Sequence, residues 1–376
     1  MIYLKTGICM VKVCHMTSAH KSTDVRIFHK QCISLAKAGY DVYLVAQGDS
    51  YESNGVKIIG VPPITGGRLK RMTQGAKATY KKALEIDADI YQIHDPELLP
   101  YALKLKKKGK KVIFDSHENF LETLLEKPYI PIMMRPMLYC FFKVYYSFIV
   151  KKYDAVITVT PHIYEKLIKF NKNTYIITNY PIVADVNEKK EYTISQNIIF
   201  AGGISRQWCH HTIIKALEKC NVRYVLLGSI KEKYLNELKT FPQWESVDFL
   251  GNVSFSEVSK KLSEASVGIA IAEYSRNTNY KMGTMGNTKI FESMMAALPV
   301  ICTDFVLWKE IIDKYNCGIC VNPNDTDEIS NAINWLIGNP EIAKVMGQNG
   351  RRAVIEEFNW SVEENKLYEL YEKISK

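Results

Sequence analysis

The segment NTKIFESMMAALPVICTD, residues 287–304, sets Lys289 and Glu292 three apart at the start of an otherwise apolar helical pattern. Phe291, Met294, Met295 and Leu298 recur at i, i+3, i+4 and i+7, one buried stripe. Pro299 stops the helix, and 300–302 reads as a short buried strand. Lys289 and Glu292 fall off the stripe, near the helix N-terminus, where free N–H groups favour anions. Behind the lead-in Gly286-Asn287-Thr288, that end and Lys289 suit a diphosphate. Glu292, one turn in, suits the two hydroxyls of a ribose. The same spacing also describes a solvent-facing i, i+3 ion pair worth roughly a few tenths of a kcal/mol.

Other residues able to do chemistry sit just after short apolar runs. HMTSAHKSTDVR carries His15, His20, Asp24 and Arg26, YQIHDPE ends on His94, Asp95 and Glu97, and IFDSHEN brings His117 and Glu118. IIFAGGISRQ supplies Gly202, Gly203, Ser205 and Arg206, and VLLGS supplies Gly228 and Ser229. Gly202-Gly203 lets backbone approach an anion closely, and Arg206 can close over it. A G-x-G-x-x-G fingerprint is absent, which argues against a nicotinamide enzyme. No acidic pair or Asp-x-Asp stands where a diphosphate-bound divalent ion would need it, so no metal is expected. Cys317 and Cys320 form a C-x-x-C without a second pair, inside what reads as a strand.

Strand and helix patterns alternate along the whole chain. Strands are expected at 11–16, 42–46, 57–61, 90–94, 112–115, 155–160 and 175–178, then at 198–201, 224–227, 247–250, 267–272, 299–303 and 319–321. Helical patterns such as 28–38 and 255–265 fill most gaps. This predicts parallel sheets covered on both faces, twice over: an α/β chain of two Rossmann-like, doubly wound domains. Polar residues 184–196 read as the linker, giving domains at 1–184 and 197–360, and a last helix within 361–376 that could cross back to the first. In such sheets ligands lie beyond the carboxyl ends of the strands, where all these polar residues cluster.

Composition agrees. At 376 residues, 47% hydrophobic and 24% charged, the chain is long enough for two globular domains. Nine cysteines without regular spacing argue for a reducing compartment. The net charge of +9 is partly local, with six lysines in KLKKKGKK at 104–111. That run reads either as a solvated helix end or as a face for an anionic membrane. It lacks the interleaved aromatics of a nucleic-acid site, and no nucleic-acid partner is expected. Residues 129–150 are apolar but broken by Arg135, Pro136 and Lys143, so they suit a core or interfacial helix better than a span. No signal peptide is evident, and Met10 is an alternative start to Met1.

Taken together, STDVRIFHKQCISLAKAGYDV, IYQIHDPELLPYAL, VIFDSHENF, IIFAGGISR, FLGNVSFSEV and NTKIFESMMAALPVICTDFVLWKEII resemble glycosyltransferase family 4, retaining transferases of GT-B fold. The resemblance implies two Rossmann-like domains facing across a cleft, with the acceptor on the first and a UDP- or GDP-sugar donor on the second. It implies no metal and no separate cofactor. Glu292 matches the second glutamate of the family's E-x7-E motif and would bind ribose. His94 matches the histidine beside the transferred sugar, and Gly203, Arg206 and Lys289 match the diphosphate side. Gly202, Gly228, Ser229, Asn287 and Thr288 complete the expected donor contacts.

The pattern is departed from in two places: Thr284 stands where the first glutamate would be, and Trp208 and Cys209 replace a basic residue and a glycine. The expected activity is retaining hexosyl transfer to a saccharide or lipid-linked acceptor in surface polysaccharide assembly. The protein would be cytoplasmic, in peripheral contact with the anionic inner face of the membrane, and released from it steeply by salt. A non-catalytic partner subunit and a sugar-nucleotide epimerase are the alternatives.

Overall fold

The structure is a computed structural model that describes residues 10–64, 67, 70–117, 119–126, 130–183 and 192–376. Glu118 and residues 184–191 of the expected linker lie outside them, as do the first nine residues. The chain forms two compact units, Met1–Thr178 with Ser361–Lys376, and Asn179–Trp360. Linker residues Thr193 and Ser195 hydrogen-bond within the second unit, to Ser263 and Ser266.

In the first unit the strands are β1 (Lys12–Lys21), β2 (Asp41–Gln47), β3 (Tyr51–Ser53), β4 (Val56–Val61), β5 (Ile90–Ile93), β6 (Lys111–Asp115), β7 (Ala155–Thr158) and β8 (Thr174–Ile176). They form one sheet in the order β3-β4-β2-β1-β5-β6-β7-β8. All neighbours are parallel except β3 and β4. The hairpin strand β3 was not expected, because its three residues carry no apolar alternation. Its signal was the Asn54-Gly55 pair, which takes the positive φ values of 52° and 75° that a two-residue hairpin turn requires.

Helices cover this sheet as α1 (Ile33–Lys37), α2 (Ala76–Ile86), α3 (Leu99–Lys107), α4 (Phe120–Glu126), α5 (Arg135–Val150) and α6 (Pro161–Leu167). The helix expected at 28–38 begins instead as a π-helix, Val25–Cys32, capped by the Asp24 carboxylate on the Ile27 N–H. With i→i+5 bonding, side chains five apart share a face, which an α-helix would separate widely. Arg26 and Gln31 are such a pair, and both turn inward.

The second unit holds β9 (Asn197–Ala201), β10 (Arg223–Leu227), β11 (Val247–Gly251), β12 (Val267–Ala270), β13 (Val300–Thr303) and β14 (Gly318–Val321), all parallel, in the order β11-β10-β9-β12-β13-β14. Its helices are α7 (His210–Ala216), α8 (Glu232–Leu238), α9 (Phe255–Ser263), α10 (Lys289–Met295), α11 (Val306–Tyr315), α12 (Thr326–Gly338) and α13 (Pro340–Glu356). Helix α10 buries Phe291 and Met294 completely, as its periodicity requires. It ends at Met295 rather than at Pro299, because Ala297 turns to a φ of 60° and sends Leu298 back to bond the Ser293 carbonyl. The Cys317–Cys320 pair lies in and just before β14, with Cys320 beside Cys302 at 3.8 Å between sulfurs.

Helix α14 (Trp360–Ser375) closes the chain. From Ser361 on it belongs to the first unit, where Glu363 accepts the Thr178 N–H at 2.7 Å and Leu367, Leu370 and Tyr371 are buried. Among the parallel strands of each sheet the order reverses once, between β1 and β5 in the first and between β9 and β12 in the second. These are the topological switch points where open α/β sheets place ligands.

The second switch point depends on glycine. Gly228 has φ +133°, and a Cβ there would stand 1.8 Å from the Gly202 carbonyl oxygen, a backbone atom that cannot step aside. Gly228→Ala should therefore cost about 1–3 kcal/mol of second-unit stability. Urea denaturation measures it, and a variant as stable as the parent would show that this turn is not constrained.

Candidate functional site

At the second switch point, β9 runs into Gly202-Gly203, and the Gly202 N–H bonds the Leu227 carbonyl at 2.9 Å. A Cβ on Gly202, at φ +142°, would lie 1.9 Å from the Lys289 ammonium. Lys289 thus reaches from the first turn of α10 across the glycine turn. Its Nζ lies 5.3 Å from the ring centroids of both Phe200 and Trp208. Burial lowers its pKa from the ordinary lysine value, and the Glu292 charge only partly offsets that. Among the described residues no carboxylate stands within ion-pair distance of it. A half-buried cation between two aromatic rings, without a carboxylate in ion-pair reach among the described residues, has the charge and the open valence to receive an anion.

The neighbouring groups divide in two. Thr288 donates its hydroxyl to the exposed Glu292 carboxylate at 2.7 Å, and the Lys289 N–H bonds the Asn287 side chain at 3.2 Å. Gly203 faces open space, and Ser229 is exposed beside it, its carbonyl taking the Ile204 N–H at 2.8 Å. Arg206 is placed differently from expectation. Its guanidinium pairs with Glu237 on α8 and lies 5.2 Å from the Tyr234 ring centroid. To close over an anion at Gly203 it would first have to leave Glu237.

The three unusual residues have local reasons. Trp208 is nearly buried, packs on Phe200 and supplies one of the two rings over Lys289. Cys209 takes the left-handed conformation at φ 48° that starts α7. Thr284 bonds the Gly286 N–H with its hydroxyl and the Trp308 indole with its carbonyl.

At the first switch point the titratable groups are paired and enclosed. Asp115, at the end of β6, accepts from Arg26 Nε at 2.9 Å, Arg26 Nη2 at 2.8 Å and Gln31 Nε2 at 2.9 Å. Arg26 also donates to the Ile177 carbonyl after β8. Burial would raise the Asp115 carboxyl, yet Arg26, His94 and His117 outweigh it and hold the group well below the ordinary carboxylate range.

His94 belongs to this network. Its side chain is wholly enclosed, with Nδ1 3.3 Å from Asp115 Oδ2 and Nε2 3.0 Å from His15 Nδ1. Which of the two rings donates in the His15–His94 hydrogen bond follows from their tautomers. Burial, and the adjacent His94, depress the His15 pKa far enough to keep that ring neutral. The Tyr371 hydroxyl, from α14, donates to Gln92 at 2.7 Å and stands 3.4 Å from His15 Nε2, and Gln92 bonds Gln31 at 2.6 Å. Gln31, Gln92 and Tyr371 are the members of this site that motif reading missed. Gln92 was visible as a polar residue inside a wholly buried strand, whereas nothing local marks Tyr371.

What this edge exposes are the neighbours of His94. His20 and His117 meet edge to face at 5.4 Å, and both keep part of their rings accessible. His20 faces Asp24 at 3.2 Å and Asp95 at 3.6 Å. Asp95 itself is buried and accepts from Thr17 Oγ1 and the Ser18 N–H. His94, Asp115 and His117 bring possible ligand atoms within 4.8 Å of one another. An ion there would have to displace a guanidinium from an enclosed carboxylate, so the donor set fits an ion-pair network and not a metal.

Comparison with known proteins places this arrangement. Residues 25–179 match the sequence profile described as Glycosyltransferase Family 4, and residues 183–353 match that described as Glycosyl transferases group 1. The chain belongs to this family of glycosyltransferases. It is 24% identical over 225 residues to an uncharacterised glycosyltransferase of Methanocaldococcus jannaschii, a match spanning 59% of this chain and only 60% of that relative's length. Sucrose-phosphate synthase from Thermosynechococcus elongatus superposes with a TM-score of 0.74 at 17% identity, over 97% of this chain and 99% of that one. HepE of Anabaena, solved with UDP and glucose, gives 0.71 at 14%, over 96% and 100%. At such identities the likeness establishes the fold, which is GT-B.

Asp115→Asn leaves the Arg26 guanidinium enclosed without a counter-charge. It should lower first-unit stability by about 3–5 kcal/mol. Urea unfolding followed by circular dichroism is the measurement, and a change below about 1 kcal/mol would deny the pair this role.

Proposed function

We propose that the chain is a retaining hexosyltransferase that moves a hexose from a UDP- or GDP-sugar to a saccharide or lipid-linked acceptor in the assembly of a surface polysaccharide. The observation that carries this reading is Lys289, an ammonium partly desolvated by burial with no carboxylate in ion-pair reach among the described residues, set against Gly202 at the second switch point. Such a group gains most from an anion that forms during reaction, here the departing nucleoside diphosphate. Glu292, exposed one turn further on, is free to exchange its Thr288 hydroxyl for those of a ribose. UDP bound to the structurally similar Anabaena protein supports the uridine alternative for the donor.

In the transfer step an acceptor hydroxyl oxygen bonds the anomeric carbon while the bond from that carbon to the β-phosphate oxygen breaks. The hydroxyl proton leaves with the diphosphate, so a front-side substitution needs no carboxylate nucleophile. Lys289 balances the charge on the leaving group and Glu292 orients the nucleoside. His94, enclosed with Nε2 hydrogen-bonded to His15 and Nδ1 facing Asp115 at 3.3 Å, acts in this reading as the residue that positions His15 and the loop at Asp95. Direct contact with the acceptor side then falls to His117 and His20, which reach the surface. Arg206 is held by Glu237 and is not assigned to the diphosphate.

Calorimetric titration of the full chain with UDP and GDP tests this reading. Lys289→Met and Glu292→Gln should each weaken binding of the preferred nucleotide by about 1.5–3 kcal/mol, the usual worth of a hydrogen bond to a charged group, with unfolding midpoints retained. Equal affinity in both variants would remove α10 from the donor site. Turnover of the nucleotide sugar should also persist in excess EDTA, because the positive charge is supplied by Lys289. Activity lost to chelation and restored by Mg²⁺ or Mn²⁺ would overturn the metal-independent mechanism.

A further inference from the structure

Helix α5 is apolar on two opposite faces. One packs inward through Tyr146, Ile149 and Val150. The other is bare: Met137, Phe141, Val144 and Phe148 are 63%, 63%, 70% and 60% exposed, and just before the helix Ile132 and Met133 are 76% and 94% exposed. At 100° per residue the four helical positions fall within an arc of about 60°, along a helix about 24 Å long. A monomer in water gains nothing from such a stripe. Its flanks select the occupant. From 127 to 152 the sequence holds Lys127, Arg135, Lys143, Lys151 and Lys152 and not one acidic residue. Lys143, Lys151 and Lys152 are exposed, where long cationic stems can reach headgroups while the stripe enters the acyl boundary.

We propose that this face of α5 is an interfacial anchor that inserts into an anionic lipid bilayer. Its placement fits the use. The helix returns the chain from the carboxyl end of β6 to the amino end of β7, where the Asp154 N–H bonds the Val112 carbonyl. Its apolar start at Ile132–Met134 therefore lies at the edge that carries His94 and His117. A lipid-linked acceptor would be presented there with its lipid still in the membrane. The lysine run at 104–111 is the weaker attachment: Lys106 is paired with Asp154 and Lys110 with Asp87, at the amino-terminal edge of the sheet. Insertion rather than steering thus dominates, and binding survives salt in part, unlike the steep release expected from that run alone. The purpose of the anchor rests on the transferase reading. The binding itself does not, and it is measured without donor or acceptor, so failure of one leaves the other standing.

The test is sedimentation of the full chain with vesicles of phosphatidylglycerol and phosphatidylcholine, and with phosphatidylcholine alone. Wild-type protein should bind the mixed vesicles, less well the neutral ones, and remain partly bound in 1 M NaCl. Replacing Met137, Phe141, Val144 and Phe148 by serine should weaken binding by about tenfold or more, with the unfolding midpoint unchanged. Cys140 borders the stripe and is the exposed cysteine among the described residues. In a Cys9→Ser background, an environment-sensitive fluorophore on Cys140 should shift to the blue when vesicles are added. This readout, with the milder Phe141→Ser/Phe148→Ser pair, decides the matter if the fourfold variant does not fold. Wild-type protein left in the supernatant, or serine variants that bind as well as wild type, would overturn the proposal. So would a concentration-dependent dimer that the serines abolish, which would assign the face to a second copy.

Discussion

The ion pair between Asp115 and Arg26 organises the first unit's functional edge. A carboxylate without solvent is tolerable only when its oxygens are occupied, and these are met by two guanidinium nitrogens and one amide. Each partner comes from a different place. Arg26 and Gln31 depend on the π-helical start after β1, Asp115 ends β6, and the Arg26 bond to the Ile177 carbonyl ties in the segment after β8. Through Gln92 and Tyr371 the same network reaches α14. Loops that elsewhere would be free to vary are held in one arrangement by a single requirement of charge.

The two switch points are opposite in electrical character. In the first, the enclosed Arg26 and Asp115 are partners, and burial lowers the pKa values of His15 and His117. In the second, an ammonium is partly desolvated beside a glycine turn and two aromatic rings and has no carboxylate in ion-pair reach among the described residues. A network knit by a bidentate ion pair and several hydrogen bonds is suited to hold geometry. An unpaired cation is suited to receive charge from a ligand. That contrast is the physical basis on which the proposed function gives positioning to the first unit's buried polar groups and anion binding to the second.

Trp208 shows how a departure from a family pattern can be read. Where a basic residue is usual, this chain places an indole whose face lies over Lys289. The positive charge is then concentrated on one side chain and held in place by π contacts, rather than shared with a second cation. Arg206, which motif matching had put beside it, is drawn off to Glu237 and Tyr234.

The amino-acid sequence by itself determined the strand–helix alternation, the two parallel sheets and the position of α10, because burial on both sheet faces writes continuous apolar runs and helix burial writes a 3.6-residue period. It also marked Gly202, Gly228, Lys289 and Glu292, since glycine at a strand end and charge beside an apolar stripe are local signals. The Asn54-Gly55 signal was equally local, but β3 was not among the expected strands because its three residues carry no apolar alternation. What only the tertiary structure decided are relations between residues distant in the chain: that Arg26 meets Asp115, that His94 is enclosed between Asp115 and His15, that Tyr371 joins them, and that Arg206 turns to Glu237. Side-chain partners across such separations depend on how strands order in the sheet and how each helix rotates, and a π-helical turn changes that rotation without changing the hydrophobic pattern. The bare face of α5 is of the same kind, because one apolar period is written alike whether a stripe is covered by the core or left to the outside.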